Sequence, residues 1–93
     1  MNNKKVIFDY KDLGLASYLI LNGNSFEGIN IKFSKRFNEF KIYIQICGYK
    51  NQLIKMNEYY EENKIQILKS ENIKNKIDEL TSEVKKKLKN EEE

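Results

Sequence analysis

The chain has 93 residues, 40% of them hydrophobic and 33% charged, with a net charge of +3, one cysteine and no histidine. That is enough for one small folded domain with a single modest core. Without histidine, every His-dependent triad, the commonest general base and most zinc sites are excluded, and the lone Cys47 makes neither a disulfide framework nor a thiolate zinc centre.

The four glycines are scattered and form no phosphate-binding loop. The reading therefore expects no enzyme and no cofactor. It also expects no secretory leader and no membrane span, because the longest apolar run falls well short of the roughly 20 residues a bilayer requires. A lone thiol fits a reducing cytoplasm. Basic excess is confined to residues 1–48, with seven Lys or Arg against four Asp or Glu; residues 49–93 carry ten of each. Lysine outnumbers arginine 16 to 1, beside twelve Ile and twelve Asn, the residues of AT-rich codons. Part of the lysine content thus reflects codon bias rather than selection for phosphate.

In chain order, Val6-Ile7-Phe8 reads as a short strand over 5–8. Leu13, Leu15, Ala16, Tyr18, Leu19, Ile20 and Leu21 leave almost no polar face, which predicts a buried helix over 10–22. Asp9 is expected to cap it, with Asp12 in a weak capping box and Gly23 as its left-handed terminator. Ile29, Ile31 and Phe33, then Phe40, Ile42, Ile44 and Ile46, alternate with polar residues and predict a hairpin over 28–47. Tyr49, Leu53, Met56 and Tyr60 make a helical stripe over 49–62. The apolar phase breaks after Asn63, so residues 65–68 read as an extended connector. Ser70 caps a last helix over 71–89, whose seam is Ile73, Ile77, Leu80, Val84 and Leu88, with Glu83 and Lys87 as an i,i+4 pair. Residues 90–93 read as a frayed tail. The result is a single α+β domain, β-α-β-β-α-α. Its mainly antiparallel three-stranded sheet has the third strand between the other two and helices on one face.

The stretch Phe8…Tyr10-Lys11-Asp12-Leu13-Gly14-Leu15-Ala16-Ser17-Tyr18-Leu19…Gly23 resembles the Asp-Leu-x-Leu-Ala-x-Tyr-Leu helix of an uncharacterised family of small domains from phages and mobile elements of low-GC bacteria. Tyr10 stands where that family usually has Thr, and Ser17 replaces its second Ala. The order of elements matches over about residues 6–80. The family carries no established activity, so the resemblance implies provenance and fold only.

Two surfaces stand out. One is the outer sheet face, with Asn30, Lys32, Lys41, Tyr43 and Gln45, and with Arg36 and Phe37 at the hairpin tip. A basic, aromatic-bearing sheet can stack bases and hold phosphates. Tyr59, from the Tyr59-Tyr60 pair, joins the candidate binding residues because tyrosine is favoured in interfaces. The other is the end of the C-terminal seam. A three-stranded sheet is only about 10 Å across, so Val84 and Leu88 are expected to project, either exposed or against a second chain in a homodimer. Capping accounts for Asp9 and Asp12, a solvated helix face for Glu58, Glu61 and Glu62, and a small strand-end residue for Cys47. The leading expectation is a cytoplasmic phage or mobile-element accessory protein that binds a host or phage protein, for instance to inhibit a defence complex. The alternative is a small DNA- or RNA-binding regulator.

Overall fold

The computed structural model describes residues 4–91. Their order is β1 (Lys5–Tyr10), α1 (Leu13–Leu21), β2 (Ser25–Ser34), β3 (Glu39–Tyr49), α2 (Lys50–Leu68) and α3 (Glu71–Glu91). The sheet order is β1-β3-β2 and both pairings are antiparallel, so β3 is the central strand, as the split β-α-β reading requires. Ile44 faces Tyr10 on one side and Ile29 on the other, and Ile46 faces Phe8 and Phe26. Side chains directly opposite share a face, so these residues form the floor under the helices. On that floor Leu15, Ala16 and Leu19 of α1, Leu53 and Tyr60 of α2 and Leu80 of α3 complete the core.

β1 runs two residues further than the alternation of Val6-Ile7-Phe8 suggested, and the helix starts later. Asp9 lies in the strand, paired with Gln45, and does not cap α1. The cap is Asp12, whose Oδ1 accepts from the N–H groups of Gly14 at 2.8 Å and Leu15 at 3.3 Å. Strand alternation through Tyr10 wins because Tyr10 buries its ring against the core. At the other end Gly23, with φ +96°, donates to the carbonyl of Ile20, and Asn24 donates to that of Leu19. This double bond pattern closes helices whose next residue can be left-handed. Ser17, fully buried, satisfies its hydroxyl by donating to the Leu13 carbonyl at 2.7 Å.

The hairpin is longer than 28–47. Its two strands start at Ser25 and end at Tyr49, with a bulge between Phe26 and Gly28 and a four-residue turn closed by Asn38 at φ +50°. Residues 65–68 are helical, not extended. The helix is interrupted only at Asn63 (φ −121°, ψ 21°), whose Nδ2 donates to the Tyr59 carbonyl at 3.0 Å. The interruption shifts the apolar phase, and Ile67 and Leu68 pack on the core. The carbonyl of Ser70 takes the first bond of α3, from Lys74. Asn90 and Glu91, read as tail, belong to this helix, and residues 92–93 lie outside the described residues. Glu83 pairs with Lys86 at 3.9 Å rather than with Lys87.

The seam does not overhang. Val84 packs against the core and Leu88 is half-buried. α3 lies against α1 and then follows β2: residues 76–83 share one cleft with Ile20 and Phe26, and residues 83–90 share the next with Phe26, Gly28 and Ile29. The roughly 31 Å of this 21-residue helix therefore does not need the sheet's width of about 10 Å, because its partner surface is α1 together with Phe26, Gly28 and Ile29 of β2.

One polar knot ties α1 to α2. The Asp12 carboxylate that caps α1 also receives the Tyr60 hydroxyl at 3.5 Å and the Lys64 ammonium at 3.7 Å. Burial first, then the adjacent Asp12 charge, pushes the Tyr60 phenol up from 10.0 to about 12. The unfolded chain thus releases this proton at lower pH than the folded one, and between pH 10 and about 12 stability falls as pH rises. Urea midpoints measured across that window should drop more steeply for the parent than for Tyr60→Phe, by up to about 3 kcal/mol in stability at the top of the window. Parallel profiles for the two proteins would remove the phenol from this role.

Candidate nucleic-acid interface

Residues at odd positions of β3 point away from the helices. Their partners across the sheet are Asn30 opposite Tyr43 and Lys32 opposite Lys41 from β2, and Ile7 opposite Cys47 and Asp9 opposite Gln45 from β1. Tyr43 is the central ring of this outer face. The Lys11 ammonium lies 5.5 Å from its centroid on one side and that of Lys32 5.1 Å on the other. At the hairpin tip Phe37 is 58% exposed and carries a second pair, the Arg36 guanidinium at 5.3 Å and the Lys41 ammonium at 5.6 Å. Each ring holds two cations in the range where ring quadrupole and charge attract.

Among the described residues the cations of this face have no ion-pair partner. Lys32 and Lys41 are directly opposite each other, an arrangement that destabilises a sheet. Asp9 and Glu39 share the face, yet among the described residues neither they nor Lys11, Lys32, Arg36 and Lys41 form an ion pair. An external anion would relieve that repulsion.

Of the residues expected from sequence, Lys32, Arg36, Phe37, Lys41 and Tyr43 come together here. Tyr59 does not: it lies on α2 and stacks on Tyr18, with centroids 6.3 Å apart. Val84 and Leu88 are on α3, away from this face. Lys11 is the residue that sequence reasoning missed. The signal was present in the alternation of Val6, Phe8 and Tyr10 inward with Ile7, Asp9 and Lys11 outward, which only a longer β1 makes visible. Cys47 is half-buried on the same face as a free thiol. Among the described residues no three His, Cys, Asp or Glu side chains gather as metal ligands, and no helix is long and apolar enough to cross a membrane.

Fold and face together define a small α+β domain with a split β-α-β core and an open, cationic, aromatic-bearing sheet. No protein-family model, curated protein or solved structure matches the chain.

Proposed function

We propose that this domain binds single-stranded nucleic acid on its outer sheet face, as a non-enzymatic regulator in the phage or mobile-element setting that the family resemblance implies. The observation that carries the reading is the pairing of two outer-face rings, the half-buried Tyr43 and the exposed Phe37, with four cations that have no anionic partner among the described residues. Bases stack on such rings only when unpaired, while adjacent cations hold the backbone phosphates. A duplex offers this flat face phosphates but no base planes.

Anisotropy with labelled single-stranded DNA, single-stranded RNA and duplex of one sequence tests the reading. Tighter binding to a single strand is expected, weakening as salt rises. Tyr43→Ala should weaken it by roughly 5- to 150-fold, the worth of about 1–3 kcal/mol for one stacked base. Lys32→Glu with Lys41→Glu should abolish binding or lower the salt slope by about 1.4, at roughly 0.7 per phosphate contact. Lys85→Glu with Lys86→Glu should leave it near the parent value, and equal sensitivity at both lysine pairs would reduce the binding to general lysine attraction.

The second reading is the protein partner expected from sequence. It is favoured by Ile54 and Ile65, 42% and 75% exposed, which flank Glu58, Glu61 and Glu62 on α2. No binding to any strand, together with stoichiometric capture of one protein from a low-GC host lysate, would move the function to that partner.

A further inference from the structure

The helix-bearing face of the sheet is not covered to its end. Phe33 and Phe40, opposite each other with ring centroids 5.1 Å apart, are 50% and 49% exposed. Ile31 and Ile42, the next pair inward, are only half-buried. This apolar strip adjoins a free strand edge, because β2 pairs with β3 alone. The edge is regular from Ile29 to Ser34, bounded by the Phe26–Gly28 bulge on one side and the turn at 35–38 on the other. An exposed regular edge is a template for another strand.

We infer that the occupant of this edge is β2 of a second copy, paired antiparallel about a two-fold axis through Ile31. The strand's own pattern makes the fit. With Ile31 opposite its counterpart, Ile29 lies opposite Phe33 of the other copy, so apolar residues meet on the helix-bearing side. Lys32 lies opposite Asn30, so no like charges face each other. Shifting the axis by one residue to Lys32 would set two ammonium groups directly opposite, an arrangement that sheets disfavour. The last turns of α3 share a cleft with Gly28 and Ile29 through Lys86, Lys87 and Asn90. In the Ile31-centred register Ile29 of the second copy sits beside Phe33, so that copy's α3 end comes next to the exposed Phe33 ring. The contact is isologous and uses the edge from Ile29 to Phe33, and it closes as a dimer instead of growing. It also joins two outer faces into one six-stranded surface, with both Tyr43 rings on the same side.

Sedimentation equilibrium of the full chain at micromolar concentration should give about twice the monomer mass of 11.1 kDa. Phe33→Glu, at an exposed position, should give a monomer with an unchanged far-ultraviolet spectrum. Register is tested by thiols in a Cys47→Ser background. Residues directly opposite across an antiparallel pair have Cβ atoms about 4.5–5.5 Å apart. The Ile31→Cys variant should therefore form a covalent dimer under mild oxidation, and the Leu88→Cys variant should not. A parent that stays monomeric throughout this range overturns the inference. So does a dimer cross-linked through position 88 and not through position 31, which would return the interface to the α3 seam.

Discussion

A Leu19→Ala variant is expected to melt at least about 10 °C below the parent, with a loss of about 2–5 kcal/mol. Leu19 has no exposed surface and belongs to α1, which lies against α2, α3, β1 and β3. Truncation therefore opens a cavity whose walls belong to different elements, and such walls cannot collapse together onto the void. A domain of this size holds roughly 5–14 kcal/mol in all, at about 0.05–0.15 per residue. The control is Leu21→Ala, two residues along the same helix and 43% exposed. It removes the same atoms and should change the midpoint far less. Similar losses at both positions would show that helix propensity, not burial, governs α1.

How much of this was legible depended on whether a residue's role was local. The alternation of Ile42, Ile44 and Ile46 identified the central strand, and the all-round apolar face of Leu13–Leu21 identified the buried helix, because both periods are properties of short stretches. Asn63 shows where that method stops. An interruption inside a helix resets its phase, so Ile65, exposed, and Ile67 and Leu68, inward, no longer extend the stripe of Leu53, Met56 and Tyr60. A period test across that point reads as absence of helix. The overhang of Val84 and Leu88 failed for a different reason, since it depended on the direction in which α3 crosses the sheet, and no local pattern encodes that.

The candidate face divides in the same way. Lys32, Lys41 and Tyr43 were identifiable by alternation within one hairpin, and Arg36 and Phe37 by their place at its tip. Lys11 reaches Tyr43 from a strand that is next to β3 only in the folded chain. Tyr59 was chosen for its residue type, with no positional argument, and it lies elsewhere.

Gly14 makes the same point in energetic terms. A glycine inside a helix ordinarily costs about 1 kcal/mol relative to alanine, so from sequence Gly14→Ala reads as stabilising. In the fold it should instead cost about 1–3 kcal/mol, the range for forcing extra volume into a packed site. A methyl group there would overlap the Tyr60 hydroxyl and sit 2.9 Å from Leu68 Cδ2 and 3.2 Å from Asp12 Oδ1. Tyr60 is fully buried, with its ring tilted against Tyr18 at 5.9 Å, and has no free direction in which to retreat. Gly14 is there for space, whereas Gly23 is there for its backbone angle. The two explanations of Gly14 separate in a double-mutant cycle with Tyr60→Phe, which removes the overlapping hydroxyl and keeps the ring. If crowding governs, Gly14→Ala should cost at least about 0.5–1 kcal/mol less in the Tyr60→Phe background than in the parent, a coupling typical of residues in contact. Additive costs in urea unfolding, or a parent stabilised by Gly14→Ala, would mean that α1 and α2 are not in contact at this point and that the Asp12–Tyr60 knot does not hold them together.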